Sequence, residues 1–144
     1  MKKFIFFITC LIIPALRVSA QTQTVQIKIT GIRSAKGAII LNLFKDQAQF
    51  NDQRPFKKII IEKKSLANGV LSATIEVSPA AYGITIIDDE NGNGKIDKNF
   101  IGIPKEGFGF SNYYMSGMSK PSFDDFKTDL TQPGKTVLIK VKYM

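Results

Sequence analysis

The chain has 144 residues and a net charge of +8, with 20 Lys and Arg against 12 Asp and Glu, a single Cys and no His or Trp. Without histidine there is no imidazole base, no Ser-His or Cys-His catalytic pair and no His-ligated metal, and one Cys supports neither an internal disulfide nor a multi-thiolate site. The length fits one domain, and the chemistry that remains, from carboxylates, Lys, Tyr, hydroxyls and oxygen-bound ions, favours a binding or structural module over an enzyme.

The first 20 residues have the layout of a cleavable export signal. Lys2 and Lys3 precede an uncharged apolar run over residues 4–16, which at about 13 residues is shorter than the roughly 20 that a membrane-spanning helix needs. Small residues at 18–20 are typical of the segment read by signal peptidase. We therefore predict a signal peptide over residues 1–20 and a secreted or periplasmic protein. The alternative is an uncleaved anchor.

Cleavage after Ala20 would remove Cys10 and three cations. The remaining 124 residues have no cysteine and carry 17 basic against 12 acidic residues, a net charge of +5. A chain of this size buries about two thirds of its unfolded surface, which is enough for one core without disulfides. We predict a single domain over residues 21–144 with no transmembrane span. The sequence does not choose among a protein, a glycan and an envelope surface as the binding partner. The predicted export argues against nucleic acid.

Alternation of apolar and polar residues predicts β-strands along the mature chain. Val25, Ile27 and Ile29 share one face of a first strand, with polar residues between them. Six further strands are predicted at 38–44, 57–63, 71–77, 82–88, 123–130 and 137–143. Seven short strands, with no convincing helical stripe, predict an all-β, antiparallel β-sandwich of immunoglobulin-like or transthyretin-like build.

One connection, from residue 89 to residue 120, is much longer than the others. It spans 32 residues and is rich in Gly, Asn, Phe and Tyr, and structureless connections of this length are uncommon unless they are functional or disordered. Its aromatic content argues against disorder. Residues 107–114 either form an aromatic lip for a ligand or fold down so that Phe108 and Phe110 cover one end of the sandwich. The second is favoured, because the lip would leave a large apolar patch exposed.

Oxygen-bearing side chains recur at alternate positions early in this connection. Counting from Asp89 as position 1, they fall at positions 1, 3, 5 and 9, with a glycine at position 6. This spacing matches the first three quarters of an EF-hand-type loop, in which alternate oxygens face one tight coil and supply the six to eight ligands that Ca²⁺ takes. We predict a weak calcium site whose ligands are the side chains of Asp89, Asn91, Asn93 and Asp97 and the carbonyl of Lys95.

The loop departs from a complete EF-hand. Position 12 is Phe100 rather than a bidentate Glu, and the preceding segment is predicted as a strand. Two carboxylates, partly offset by Lys95 and Lys98, place the expected dissociation constant at roughly 0.1 to 1 mM. Asp88 or Glu106 would be candidates for a missing ligand. The alternative is a polar hairpin tip without an ion, because Asn-Gly occurs twice here and is a strong turn signal.

The stretches DDENGNGKID at 88–97 and GIPKEGFGFSN at 102–112 resemble the signature of exported bacterial proteins of the domain of unknown function 2141 family. The resemblance covers most of the mature chain. It implies a secreted β-sandwich with no assigned activity and supplies no catalytic residues.

Two other functions remain open. A carboxylate-dependent hydrolase would use Glu106 or Asp124, since glycoside cleavage needs two carboxyl groups at a defined separation. A small carrier would hold an apolar ligand beneath residues 108–114. The sequence favours neither, so we predict no catalytic residue and an exported module with a calcium-stabilised loop at 89–97.

Overall fold

The computed structural model describes residues 21–144, and the predicted signal peptide at 1–20 lies outside the described residues. The strands are β1 Gln23–Thr30, β2 Ala38–Phe44, β3 Lys57–Glu62, β4 Val70–Val77, β5 Ala80–Asp89, β6 Gly107–Phe110, β7 Lys127–Leu130 and β8 Thr136–Lys140. Two short helices, α1 Gln47–Asn51 and α2 Phe123–Phe126, and a 3₁₀ turn at Lys63–Ser65 complete the secondary structure. No helix of this part of the chain is long and apolar enough to span a membrane.

The strands form two sheets, one with the order β4-β1-β8 and one with the order β3-β2-β5-β6. Strand β5 is central to the larger sheet: β2 lies along one of its edges, and β7 and β6 follow one another along the other edge. Ala38 at the start of β2 pairs with Asp89, and Gly107 at the start of β6 pairs with Asp88. Three chain segments therefore meet at the end of β5, where the predicted calcium loop begins.

The predicted all-β sandwich is confirmed, with eight strands rather than seven. Strand β6 lies inside the connection in which no strand was predicted, and the predicted strand at 123–130 is instead helix α2 followed by β7. The helix forms because the Asp125 carboxylate accepts hydrogen bonds from the backbone N–H and the hydroxyl of Ser122, which caps its first turn. One neighbouring pair, β1 with β8, is parallel, and the other pairs are antiparallel.

The core between the sheets consists of the inward-facing residues of the predicted alternation. Val25, Ile27 and Ile29 of β1 are buried there against aliphatic residues of both sheets. Each fully buried aliphatic side chain contributes about 1.5–3 kcal/mol, so the fold does not depend on disulfides. Tyr82 also packs in this core, and its hydroxyl donates to the carbonyl of Ser78 at 3.1 Å, which fixes the turn into β5.

A second apolar cluster covers the outer face of the larger sheet. It contains Phe44, Phe50, Phe108, Phe110, Met115, Phe123 and Phe126. Phe108 and Phe110 are buried rather than exposed as a lip, but the prediction that they cover one end of the sandwich was wrong, because as residues of β6 they cover a sheet face. The glycines that alternate with them, Gly107 and Gly109, face inward, where an added Cβ would come within 2.5 or 2.6 Å of side chains that follow or belong to β8. The GFGF sequence thus lets the C-terminal segment approach closely on one side of β6 while the rings pack on the other.

Candidate metal centre

The predicted calcium loop begins at the last residue of β5 and winds around that residue's side chain. Oδ1 of Asp89 accepts the backbone N–H groups of Gly92 and Asn93 at 2.8 and 3.1 Å, and Oδ2 accepts the N–H of Gly94 at 2.8 Å. Both glycines have φ near +75°, at 73° and 80°, a conformation that other residues rarely adopt. The loop thus turns sharply at Gly94, the glycine at position 6, whose N–H is bound by the carboxylate at position 1.

Three further predicted ligands meet in one place. The side-chain amides of Asn91 and Asn93 donate to Oδ2 of Asp97 at 2.6 and 2.8 Å. Their own oxygens accept the backbone N–H groups of Asn93 and Lys95 at 3.1 and 3.0 Å, which makes two successive Asx turns. These amide hydrogen bonds, and the nearby charges of Lys95 and Lys105, hold the pKa of the Asp97 carboxyl below its usual value. Asp97 therefore stays ionised at neutral pH.

Glu106 joins the two ends of the loop from beneath. Its side chain is buried, with the residue 5% exposed. One carboxylate oxygen accepts the N–H of Glu90 at 3.2 Å and the other accepts the N–H of Asp97 at 3.1 Å. Both oxygens are thus engaged with backbone donors at positions 2 and 9 of the loop. The sequence suggested Glu106 as an extra ligand, and its contacts are those of a brace that sets the shape of the loop.

Asp88, the other suggested ligand, points away from the loop. It alternates with Asp89 along β5 and faces the side of the sheet that packs in the sandwich, where it forms a fully buried ion pair with Lys63. The hydroxyl of Tyr143 donates to its second oxygen. Asp88 is therefore engaged within the fold, and of these two adjacent carboxylates only Asp89 binds backbone N–H groups of the predicted calcium loop.

Two cations support the loop from outside. Arg33 binds the carboxylate of Glu90 through Nε at 3.0 Å and an Nη atom at 2.6 Å, which lowers the pKa of Glu90. Lys58 donates from Nζ to the carbonyl of Gly94 at 2.7 Å. No local sequence signal marks these contacts, since Arg33 and Lys58 come from other turns and strands.

The predicted donor set would consist of two carboxylates, two amide oxygens and a backbone carbonyl. Within residues 21–144 no group of three His, Cys, Asp or Glu side chains is placed to hold a metal ion, so a cation here would depend on the amides of Asn91 and Asn93. Both amides now direct their N–H groups at Asp97, and each must turn its oxygen inward to act as a ligand. Such a site has the low charge that is typical of weak extracellular calcium sites.

We expect Glu106→Gln to destabilise the protein by about 1–3 kcal/mol, because one of two part-buried backbone N–H groups would then face an amide NH₂ instead of an acceptor. Urea unfolding measures this loss, and hydrogen exchange at the Glu90 and Asp97 amides should become faster. Glu62→Gln is the matched control, since Glu62 pairs only with the exposed Lys64 and such pairs contribute little. Unchanged exchange at both amides would contradict the role of Glu106 as a brace.

The two carboxylates suggested for a hydrolase, those of Asp124 and Glu106, are both engaged in contacts within the fold. Asp124 is largely exposed and forms an ion pair with Lys127 at 2.7 Å within one helical turn. Glu106 holds the two backbone N–H groups described above. These contacts favour structural roles for both residues.

Comparison with known proteins gives one match. A family model described as "Uncharacterized protein conserved in bacteria (DUF2141)" matches residues 27–138, a range that includes the whole loop and Glu106. No curated protein and no solved structure matches the chain.

Proposed function

Since the chain belongs to this family of uncharacterized bacterial proteins, we propose that it acts as an exported β-sandwich module, binding or structural, whose loop at 89–97 is stabilised by calcium. The observation that carries the proposal is the convergence of Asn91, Asn93 and Asp97 beside a loop wound around Asp89. A simple Asn-Gly turn needs only its own backbone conformation and does not require these side chains to meet.

The charges of the loop also favour a bound cation. Asp89 and Asp97 lie in the same short loop, and among the described residues neither has a Lys or Arg partner within ion-pair distance. Their hydrogen bonds come from backbone and amide N–H groups, which carry no full charge. A divalent cation would offset both carboxylates and would draw the two amide oxygens toward it.

The expected affinity suits an exported protein. A dissociation constant of roughly 0.1 to 1 mM lies in the range of extracellular calcium modules. The apolar segment at 4–16 and the small residues at 18–20 support export. Calcium would then order the path from β5 to β6 only outside the cytoplasm, where the ion is abundant.

Thermal unfolding with and without calcium tests the proposal. With a dissociation constant of about 0.1 mM, 1 mM Ca²⁺ should add about 1.4 kcal/mol, which raises Tm by roughly 3–5 °C for a domain of this size. Asp97→Asn should abolish this shift, because it removes one of two charges at the site. Asp129→Asn is the control, since Asp129 accepts the N–H of Thr131 at 2.9 Å outside the loop, and it should retain the shift.

Two results would contradict the calcium proposal. One is an unchanged Tm of the native protein up to about 10 mM Ca²⁺, far above the expected dissociation constant. The other is an equal shift in Asp97→Asn and the native protein, which would place any calcium effect elsewhere on the surface.

A further inference from the structure

A cleft opens on the outer face of the larger sheet, beside the second apolar cluster. Its volume is about 420 Å³, within the usual range for small-molecule sites. Thr85, Ile87 and Phe108 form its floor, and Phe50 lies on one wall. The remaining walls are the 98–104 hairpin, closed by the pairing of Lys98 with Pro104, and the segment 115–120.

The charged side chains that line this cleft are both cationic. They are Lys98, on the hairpin, and Lys120, on the segment 115–120. Neither has a carboxylate within ion-pair distance among residues 21–144. Nζ of Lys120 lies 4.0 Å from the centroid of the Phe50 ring, and burial together with the charge of Lys98 lowers the pKa of Lys120. Two like charges thus line one mainly apolar cleft, and neither forms an ion pair among residues 21–144.

Exposed apolar residues lie in the cleft lining and on the adjoining 98–104 hairpin. Met118 is 71% exposed and lines the cleft. At the tip of the hairpin, Phe100 is 99% exposed and Ile101 is 64% exposed. The turn that carries them is rigid, because the side chain of Asn99 accepts the N–H groups of Ile101 and Ile103 at 3.0 and 2.9 Å. Apolar surface fixed in water in this way is typical of binding sites.

We propose that the cleft binds an amphiphilic carboxylate, whose apolar chain or ring lies on Ile87 and Phe108 and whose carboxylate lies between Lys98 and Lys120. A neutral apolar ligand would leave the two ammonium groups without a counter-ion, and a cationic amphiphile would be repelled by both. The proposal goes beyond the calcium loop and does not depend on it.

Laurate is a suitable probe, and the methyl groups of Met115, Met118 and Met144 are natural reporters because all three residues line the cleft. Titration in the presence of EDTA, followed by methyl NMR, should give saturable shifts of these three signals with a dissociation constant of about 0.1–1 mM. Dodecyltrimethylammonium, with a chain of similar length and the opposite charge, should bind at least about tenfold more weakly.

Two pairs of variants at exposed positions separate charge from hydrophobicity. Lys120→Met should weaken laurate binding about fivefold, whereas Lys45→Met should not change it. Lys45 is a matched control because its Nζ also lies over a ring, 3.6 Å from the centroid of Phe56, but outside the cleft. Met118→Glu should weaken binding and Met118→Lys should not, since only the first puts an anion at the mouth.

The proposal is overturned if laurate and dodecyltrimethylammonium bind equally, or if Lys120→Met binds laurate as the native protein does while both remain folded. It is also overturned if the protein floats with anionic phosphatidylglycerol vesicles but gives no saturable shifts with laurate. That last result would assign the hairpin tip to a membrane surface instead of assigning the cleft to a small ligand.

Discussion

Lys63→Met is expected to destabilise the protein by about 3–5 kcal/mol, because it leaves the Asp88 carboxylate buried without its cation. The side chains of Lys63 and Asp88 are 1% and 0% exposed. Nζ of Lys63 also donates to the carbonyls of Ser34 and Lys36 at 3.0 and 2.6 Å, and Tyr143 donates to Asp88 from the other side. Removal of the Lys63 ammonium therefore leaves three acceptors without their donor: the Asp88 carboxylate and the carbonyls of Ser34 and Lys36.

The pKa of the Tyr143 hydroxyl is raised. Burial is the larger cause, and the hydrogen bond that the hydroxyl donates to Asp88 is the second. Tyr143 therefore stays protonated and remains a donor throughout the accessible pH range. It cannot replace the charge of Lys63, however, because a neutral hydroxyl leaves Asp88 without a counter-ion. This is why the expected loss is larger than that of one hydrogen bond.

Urea unfolding of Lys63→Met measures this loss, and Lys64→Met is the control because its neighbouring ammonium is exposed. The control should change stability by less than about 0.5 kcal/mol. The double variant Lys63→Met with Asp88→Leu should recover part of the loss, since it leaves no unpaired buried ion. A loss below about 1 kcal/mol in Lys63→Met would contradict a buried ion pair.

Gly37→Ala is expected to cost at least about 3 kcal/mol or to prevent folding, because it combines a steric clash with an unfavourable backbone conformation. Gly37 has φ +68°, and a Cβ there would lie 1.8 Å from the carbonyl oxygen of Asp89. The clash is with backbone, so no side chain can move to relieve it. Asp89 is paired with the adjacent Ala38, which prevents the strands from separating without loss of their hydrogen bonds.

Gly134→Ala measures the backbone part of this effect alone, so that its difference from Gly37→Ala gives the steric part. Gly134 has a similar φ of +75°, and nothing lies within 4 Å of the position of its Cβ. Its substitution should cost only the backbone penalty, about 1–2 kcal/mol. Thermal unfolding of the two variants side by side should give a clearly larger loss for Gly37→Ala. Equal losses would mean that the turn at 37 is free to move away from β5.

The alternation of the sequence predicted β1, β2 and β4 because their inner faces carry aliphatic residues at every second position. It did not predict β6, since its inward positions are Gly107 and Gly109, which give no hydrophobic signal. The strand is also only four residues long. Helix α2 is a single turn, too short for a periodic pattern, although Ser122 and Asp125 have the spacing of a helix cap.

The contacts within the loop at 89–97 were predictable because they are local. Asp89 reaches Gly94, and Asn91 and Asn93 reach Asp97, all within nine residues of sequence. The role of Glu106 and the network of Asp88 were not predictable in the same way. Asp88 meets Tyr143 across 55 positions of the chain, and such distances are set by the pairing of strands rather than by local spacing.

The parallel pairing of β1 with β8 has a consequence for the order in which the fold can assemble. Gln26 lies opposite Thr136, and β1 is the middle strand of its sheet. A chain that emerges vectorially presents β1 first and must hold it with one edge unpaired until residues 136–140 appear. The smaller sheet can be completed only after β8 has been synthesised, because β8 is one of its three strands. Contacts of such long range also form slowly. Until then β1 keeps an unpaired edge, which is open to pairing with other chains.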